Sequence, residues 1–405
     1  MSDSGKSAGP LYGIKILDLT IWQSGPFSTV MLSDMGAEVI KVEDRTTGDP
    51  GRGFMDAGAT SGVSGYFEAM NRNKRSITLD LKSDAGRELF YRLAAKVDVV
   101  IQNFRFGVAE KLKIAYPDLL PHNPKIIYAS ATGFGREGPD ATMGVFDILG
   151  QARSGVLQAL RPPGDPVEYN NAFGLADQTS GILLAQAVTA ALFARERSGE
   201  GQEVEVSQLG AMLCLQQMGI TRHLINGYEP AMTRRDAPRN PVFNLYECQS
   251  GDWIAVGGLQ GDRYWKDFCD ILGLPELGSD PRYATMQQRT ETNRELVAAL
   301  DKSFAAFARA DLLDKFAAAG IPCSSVNSYA DIAGDPQILA NDYIIQVEHP
   351  HMGTIREIGL PIRFGKTPIG PCTSAPELGQ DTEAVLLECG LNWDEISALR
   401  DQGAI

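Results

Sequence analysis

The sequence predicts an α/β protein with a mainly parallel sheet, and three observations support this fold class. Strand-like and helix-like segments alternate through the N-terminal half, as expected for parallel strands joined by crossover helices. The chain has 405 residues, which indicates two domains or one large elaborated domain. Its hydrophobic share of 43% and charged share of 22% are typical of globular proteins with an ordinary core.

The elements follow from short apolar runs and from helix start and stop signals. Ser24-Gly25-Pro26 begins the first helix and Gly36 ends it, while Ser83 caps a later one. Two longer helical patterns cover residues 177–197 and 208–225. The predicted strands are residues 14–19, 38–42, 77–81, 99–102, 126–131 and 204–206.

A change of composition marks a domain boundary. Between Asn226 and Asn240 the chain becomes rich in Gly, Pro and Arg, which is typical of a linker. We therefore expect a large domain over residues 1–225 and a small domain over 226–332. Residues 333–405 are expected to return to the large domain.

Charge and composition exclude several classes of partner. Fifty-one acidic and 37 basic residues give a net charge of −14, which disfavours nucleic acid and anionic membranes as partners. No secretory signal or bilayer-spanning run is visible, and the six cysteines are widely spaced, as in reduced cytoplasmic proteins. Four histidines are present, and the His349 and His351 pair lacks a third ligand nearby. The sequence therefore predicts no metal site.

Familiar nucleotide and acyl-enzyme signatures are missing. Gly133-Phe134-Gly135 follows a predicted strand, but the third glycine of the dinucleotide fingerprint is absent. Neither a Walker A sequence nor a G-x-S-x-G elbow before a helix occurs. These absences disfavour a dehydrogenase or a lipase.

Two features could carry chemistry, and each has an ordinary structural interpretation. Asp177 begins a long helical pattern, so it is either the helix N-cap or a carboxylate nucleophile favoured by the helix dipole. Asp147 and Glu43 are further candidates, and the pattern alone does not choose among the three. Basic residues near strand ends could hold phosphates or form a solvated face. They are Arg72, Lys74, Arg75, Lys82, Arg105 and Lys111.

Several short motifs follow one another along the whole chain. They are LDLT at 17–20, SGP at 24–26, LSDMGAEVIKVE at 32–43, GDP at 48–50, NKRSITLDLK at 73–82, DVVIQNFR at 98–105, GFG at 133–135, GEGQ at 199–202 and AGIPC at 319–323. In kind and in order these motifs resemble the family III CoA-transferases, whose relatives include the α-methylacyl-CoA racemases. The resemblance implies a large Rossmann-like domain built from both chain ends, a smaller α+β domain, and an interlocked homodimer or a heteromer with a homologous subunit.

The resemblance also implies a reaction. Asp177 falls where the family carries its catalytic aspartate, so it would attack an acyl-CoA and form a mixed anhydride and then an aspartyl-CoA thioester. The substrates would be an acyl-CoA, such as succinyl-CoA, and a small carboxylic acid. Coenzyme A would be a substrate, with no tightly bound cofactor.

The same resemblance implies the other site residues. A departure from the family pattern follows Glu43, where Asp44 precedes Arg45 and shifts that arginine by one residue. The expected CoA-binding residues are Gln23, Ser24, Arg45, Leu79, Lys82, Asn103, Phe104 and Lys111. The expected residues of the acid pocket and its cover are Phe54, Tyr66, Phe146, Asp147, Gly257 and Gly258.

Two alternative functions follow from the same family. A racemase needs a proton acceptor on each face of the α-carbon. Related racemases carry a histidine where this chain has Phe146, which favours transfer. A non-catalytic subunit of a heteromer is the other alternative, and the presence of Asp177 disfavours it.

Four arginines would either bind a dicarboxylate or lie on a solvated linker. They are Arg222, Arg234, Arg235 and Arg239.

Overall fold

A computed structural model describes residues 9–54, 63–169, 171–230 and 232–405. The chain divides into two compact units. The larger unit comprises the chain up to Leu157, Glu168–Glu229 and Asp342–Ile405, and the smaller unit comprises Gln158–Val167 and Pro230–Asn341. The sequence placed the small domain at 226–332 and gave no sign that Gln158–Val167 would join it.

The larger unit is built on a six-stranded parallel sheet, which confirms the predicted fold class. Its strand order is β3-β2-β1-β4-β5-β6, so the chain proceeds outward from β1 on one side and from β4 on the other. The strands are β1 Lys15–Asp18, β2 Glu38–Glu43, β3 Lys74–Thr78, β4 Val99–Gln102, β5 Ile127–Thr132 and β6 Glu203–Ser207. An antiparallel hairpin of β10 Ile344–His349 and β11 Gly353–Ile358 is added near the C-terminus.

Helices cover both faces of the sheet because alternate strand residues point to opposite sides. Leu17 and Val100 pack with Phe90 on one face, while Ile16 and Val99 pack with Leu184 on the other. The helices of this unit are α1 Ser24–Asp34, α2 Gly65–Asn71, α3 Asp84–Ala94, α4 Val108–Leu112, α5 Tyr116–Leu119, α6 Asp147–Arg153, α8 Leu175–Ser198, α9 Gln208–Leu215, α10 Gln217–Asn226, α18 Thr382–Glu388 and α19 Trp393–Asp401. The short helix α7 Val156–Ala159 begins in this unit and ends within Gln158–Val167 of the smaller one.

Two predicted elements differ from those observed. The third strand was expected at 77–81 but lies at Lys74–Thr78, because Lys74 is buried in an ion pair and belongs to the ladder. The single helix expected over 208–225 is broken at Gln216, whose side chain donates to the carbonyl oxygens of Ser154 and Met212.

The smaller unit has its own sheet and core. Strands β7 Phe243–Glu247, β8 Trp253–Gly257 and β9 Cys323–Ser325 form an antiparallel sheet. Helices pack on it around a cluster of aromatic rings that includes Tyr246, Phe268 and Phe304. These helices are α11 Gly261–Ile271, α12 Pro275–Ser279, α13 Met286–Glu291, α14 Asn293–Phe304, α15 Arg309–Ala318, α16 Tyr329–Ile332 and α17 Pro336–Ala340.

Candidate active site

A cavity of about 710 Å³ opens at the carboxyl end of the parallel sheet. Its walls include the loops that follow β1 and β4, the strands between which the chain direction across the sheet reverses. In open α/β sheets this switch point leaves a crevice, because the two connections depart to opposite sides. The lining includes five of the expected site residues, namely Ser24, Asn103, Phe104, Phe146 and Asp177.

Asn103 joins the two loops at the switch point. Its Oδ1 accepts from the Ile21 backbone N–H at 3.0 Å, and its Nδ2 donates to the Ile21 carbonyl at 2.7 Å. Both ends of the amide are therefore used within the protein. Any contact of Asn103 with a ligand is left to its backbone, to the remaining amide hydrogen or to the second lone pair of Oδ1.

Trp22 follows Ile21 in a left-handed backbone conformation, with φ of 66°. Its N–H donates to Asp49 Oδ1 at 3.1 Å, which holds this strained residue in place. The indole makes edge contacts with Phe54, at 5.6 Å between centroids, and with Phe146, at 6.3 Å. Phe54 in turn contacts Tyr66 at 5.0 Å. The three aromatic residues expected in the acid pocket thus form one cluster around Trp22, which the sequence did not single out.

A buried ionic network lies beneath these loops. Lys41 Nζ donates to Asp49 Oδ2 at 2.8 Å and to the Thr20 carbonyl at 2.8 Å. Lys74 Nζ donates to Asp18 Oδ2 at 3.0 Å. Both pairs are fully buried. Because buried charges must be paired, the network fixes the loops on either side of Trp22.

Burial alone would raise the pKa of Asp18, but its surroundings reverse the effect. The Lys74 and Lys41 ammonium groups, with hydrogen bonds from Thr20 and Thr29, lower the pKa of Asp18 to about 2. Burial lowers the pKa of Lys74 to about 8, against the attraction of Asp18. Asp18 is therefore held ionised.

Asp177 lies in the first turn of α8 and is not its N-cap, so the N-cap interpretation is wrong. The cap residue is Gly174, which makes no side-chain hydrogen bond. Asp147 supplies the missing acceptor from 30 residues away, because its Oδ1 accepts from the N–H groups of Ala176 at 2.7 Å and Asp177 at 3.0 Å. A carboxylate at a helix N-terminus is stabilised by the exposed N–H groups and the helix dipole.

Two effects disfavour the ionised form of the Asp177 carboxyl group. Burial raises the pKa of Asp177 to about 7, and the nearby Asp147 carboxylate adds to this shift. A hydrogen bond from Gln208 Nε2 to Asp177 Oδ1, at 2.6 Å, opposes it. None of the ion pairs within the described ranges includes Asp177. The carboxylate therefore lines the cavity with a perturbed pKa, as functional carboxylates often do.

No motif in the sequence selects Gln208 as a site residue. It is the first residue of α9, directly after β6, and its side chain is buried. Its partner Asp177 is 31 residues earlier, so no local spacing reports the contact.

Other expected residues lie close to Asp177. Ser24 Oγ lies 2.9 Å from Ser180 Oγ, and Ser180 Oγ donates to the Asp177 carbonyl. Gln23 lies against Gly174, where a Cβ atom would approach the Gln23 Oε1 to 2.4 Å. Burial, with the Asp177 carboxylate as a further cause, raises the pKa of the Tyr66 hydroxyl.

The basic residues separate into two groups. Arg72 is buried with Asp34, Lys74 with Asp18, and Arg75 pairs with Glu38 and Glu388, so the phosphate-binding interpretation does not apply to these three. The other group is exposed and takes part in no ion pair among the described residues. Its members follow β2, β3 and β4 on the carboxyl side of the sheet and are Arg45, Lys82, Arg105 and Lys111.

Two of the expected CoA-binding residues are partly committed to the fold. Leu79 is 2% exposed and packs in the core with Leu17 and Ile40, and its N–H donates to the Glu43 carbonyl at 2.9 Å, so both its side chain and its N–H are committed to the fold. Phe104 is partly buried against the same core and also lines the cavity.

Gly257 and Gly258 belong to the smaller unit, at the end of β8. A Cβ atom at Gly258 would lie 2.6 Å from Val242 Cγ1, so this turn needs glycine. In the same unit Arg235 forms a bidentate pair with Asp301, at 2.7 and 3.1 Å, and Arg234 pairs with Asp236. These pairs favour the linker interpretation of both arginines.

The histidine pair is accounted for by single carboxylate partners. His349 Nε2 lies 3.5 Å from Glu68 Oε1, and His351 Nε2 lies 2.6 Å from Glu377 Oε1. No group of three or more His, Cys, Asp or Glu in the described part of the chain is arranged to hold a metal ion. No described helix combines the length and the apolar character needed to cross a membrane.

The chain is similar to several known proteins. Residues 11–382 match CoA-transferase family III. The chain is 35% identical to an acyl-CoA transferase of Fusarium pseudograminearum, over all of this chain and 90% of the relative. It is 34% identical to the succinyl-CoA:glutarate CoA-transferase of Mus musculus, over 96% of this chain and 88% of the relative. The crystal structure of a CAIB/BAIF family protein from Brucella suis superposes with a TM-score of 0.87 at 30% identity, over 94% of this chain and all of that one. The chain therefore belongs to CoA-transferase family III, as its motifs predicted, and is a CoA-transferase.

Proposed function

We propose that the protein transfers CoA from an acyl-CoA donor to a carboxylic acid through covalent intermediates on Asp177. One observation carries the proposal. The Asp177 carboxylate lines the switch-point cavity without a cationic partner in the described ranges, next to a second carboxylate, Asp147. A carboxylate that is poorly stabilised as an anion is a better nucleophile than one held in an ion pair.

The first half of the reaction exchanges the donor acid for Asp177. Asp177 Oδ2, the oxygen that Gln208 leaves free, attacks the thioester carbon, and the carbon–sulfur bond breaks to release CoA thiolate. The product is a mixed anhydride. The thiolate then attacks Asp177 Cγ, the bond from Cγ to the bridging oxygen breaks, and the donor acid leaves as a carboxylate. Asp177 is now a CoA thioester.

The second half repeats these steps with the acceptor acid. Its carboxylate attacks Cγ and expels the thiolate, which gives a second mixed anhydride. The thiolate then attacks the acyl carbon of the acceptor, the bond from that carbon to the bridging oxygen breaks, and the Asp177 carboxylate leaves in its original form. Each covalent species keeps an activated acyl group, so little free energy is lost between steps. Hydrolysis is the competing reaction, and the turn of Gly257 and Gly258 is our candidate for excluding water.

The cavity and its rim suit CoA. The exposed Arg45, Lys82, Arg105 and Lys111 follow the carboxyl ends of neighbouring strands, where they would attract the phosphates to an otherwise acidic protein. Phe104, the Ser24 segment and the backbone carbonyl groups of Leu79 and Asn103 would hold the rest of the CoA molecule. The pantetheine arm would then reach Asp177 past Gln23.

The aromatic cluster is our candidate for the acid-binding pocket. Trp22, Phe54, Tyr66 and Phe146 are joined by ring contacts, and the Asp177 charge is felt at Tyr66. Relatives are named for succinyl-CoA as donor and glutarate as acceptor, so these substrates are the first to test.

We further propose an interlocked homodimer, which light scattering on the purified chain would test.

The experiment is a screen of acyl-CoA donors against free acids, with new CoA esters detected by chromatography. The chain purified alone should form the acceptor's CoA ester, and Asp177→Ala should lower the rate by about 10⁴-fold or more. Asp84→Ala is the matched control, since Asp84 is exposed and pairs with Arg87. Full activity of Asp177→Ala would refute the proposal, as would exchange of the donor's α-hydrogen with solvent deuterium in place of transfer.

A further inference from the structure

We propose that Gln208 is a catalytic residue, whose Nε2–H stabilises the oxyanion that forms on Asp177 Oδ1 whenever Cγ of that aspartate is attacked. This inference rests on the proposed function, because it requires covalent chemistry at Asp177. It adds a residue that neither the motifs nor the sequence spacing indicated.

The contact is short and its donor is confined. Gln208 is 6% exposed and begins α9, whose N-terminus is capped by Ser207 Oγ accepting from the Gly210 N–H. From this position Nε2 lies 2.6 Å from Asp177 Oδ1. When Asp177 is ionised, as it must be to attack, its carboxylate only accepts hydrogen bonds, so the amide presents its nitrogen to it. A donor already in place needs no rearrangement when charge develops on that oxygen.

The Oε1 atom of Gln208 indicates that folding alone does not require an amide side chain at this position. Gln208 Oε1 is buried and has no hydrogen-bond partner among the described residues. A buried acceptor without a partner costs about 1–3 kcal/mol. Gly150 keeps this space open, since a Cβ atom there would lie 3.0 Å from Oε1 and 2.9 Å from the Ala176 Cβ. An apolar side chain would pack here without the penalty, so the retained amide points to a role at Asp177.

The chemistry identifies that role. Oδ1 stays on the enzyme through the whole cycle, whereas the other oxygen becomes the bridging atom of the anhydride and departs with the donor acid. When the CoA thiolate attacks Cγ, a carbon–sulfur bond forms and the Cγ–Oδ1 π electrons move to Oδ1. Collapse returns that pair and breaks the bond from Cγ to the bridging oxygen. Attack by the acceptor carboxylate on the aspartyl thioester places the same charge on Oδ1 and expels the thiolate.

Gln208 therefore acts on only some of the steps. In the anhydride and in the thioester Oδ1 is a neutral carbonyl oxygen, and in the two intermediates at Cγ it is an anion. A fixed donor at Oδ1 binds those intermediates more strongly than the species on either side. When the thiolate attacks, or Asp177 attacks, the acyl carbon of a substrate, the new charge lies on the substrate's own oxygen. Those steps gain nothing comparable from Gln208.

The test compares rapidly quenched reactions of wild type, Gln208→Met and Gln208→Asn with succinyl-CoA, analysed by intact-protein mass spectrometry. Two adducts are distinguished by mass, the acyl group as the anhydride and CoA as the thioester. In both variants the acyl adduct should form at a rate within a few-fold of wild type, while its conversion to the CoA adduct should be about 10²–10³-fold slower. The anhydride should then accumulate.

Gln216→Met is the matched control, because this glutamine caps carbonyl groups of Ser154 and Met212 at the start of the next helix. It should leave the ratio of adducts unchanged. Gln208→Asn serves where the methionine variant fails to fold, since it only shortens the side chain and withdraws the donor. Equal slowing of both steps, or no slowing of the second, would refute the role of Gln208. Absence of both adducts in active wild-type enzyme would instead refute the covalent mechanism itself.

Discussion

Two aspartates near the same end of the parallel sheet have pKa values shifted in opposite directions. Asp18 ends β1 and is fully buried, yet Lys74 and Lys41 hold the pKa of its carboxyl at about 2. Asp177 begins α8 at the cavity wall, where burial and Asp147 raise its pKa to about 7. Burial disfavours both anions, so the difference lies in what each carboxylate faces.

This difference assigns the two residues to different tasks. The ionised Asp18 stabilises the folded state above its unfolded pKa of 3.8, and that contribution is lost as the pH falls toward 2. For Asp177 the sign is reversed. Its folded pKa is raised, so ionisation destabilises the fold progressively as the pH rises from about 4 through 7. Asp18 supports the loops of the site, and Asp177 carries a free energy cost that the proposed role as nucleophile would explain.

The largest expected effect follows from breaking the network. Asp18→Asn leaves two buried ammonium groups with one carboxylate between them, which should lower the free energy of unfolding by about 3–5 kcal/mol. Urea unfolding near pH 7 measures this change. Asp84→Asn, which alters an exposed pair, should shift stability by less than about 1 kcal/mol. A loss at Asp18 no greater than at Asp84 would contradict the structural role of the network.

The same substitution at Asp177 should act in the opposite direction. Asp177→Asn removes the unfavourable ionisation, so the folded state should gain about 1–2 kcal/mol near pH 8, after allowance for screening by water in the cavity. The gain should shrink to nothing near pH 4, where wild-type Asp177 is protonated in the folded state. Unfolding curves of both proteins at several pH values test this, and a destabilised variant near pH 8 would show that Asp177 is held for stability.

A smaller effect is expected at Asp147. The rate of the wild-type enzyme should rise as the pH increases through about 7, because in the proposed mechanism only an ionised Asp177 can attack. Asp147→Asn keeps an acceptor for the helix N–H groups but removes the like charge, so the midpoint should move to lower pH. Stability should fall by about 0.5–1 kcal/mol as the charged cap is lost. Asp140→Asn, which disrupts a pair with Arg153, is the control and should leave the midpoint unchanged. A midpoint that stays in place in Asp147→Asn would show that burial alone sets the pKa.

Much of the larger unit could be predicted from local pattern. The apolar runs of β1, β2, β4 and β5 gave those strands within one or two residues, because buried parallel strands are continuous hydrophobic segments. The pattern failed at β3, where Lys74 and Ser76 are buried polar residues whose partners come from other strands and loops. The helix predicted over 208–225 is interrupted at Gln216 for a similar reason, because Gln216 contacts Ser154, which is 62 residues earlier in the sequence.

Residues of the candidate site could be predicted only where they fall in a motif that resembles the family. Asp177 was selected by family resemblance, while its local pattern suggested an N-cap that Asp147 in fact replaces. Trp22, with its left-handed backbone, and Gln208, with its contact across 31 residues, left no periodic signal. Pairing also decided which basic residues stay exposed. Arg72 and Arg75 lie beside Lys82 in sequence but are committed to carboxylates in the fold.

The central claim is that Asp177 becomes covalently acylated during turnover. The most direct measurement is peptide mass spectrometry of enzyme that is incubated with a donor acyl-CoA and trapped with hydroxylamine, with Asp147 and Asp177 resolved on separate peptides. The account predicts a hydroxamate at Asp177, formed only when the donor is present, and none at Asp147. An enzyme that turns over normally while Asp177 stays unmodified, or that carries the label on Asp147, would contradict it.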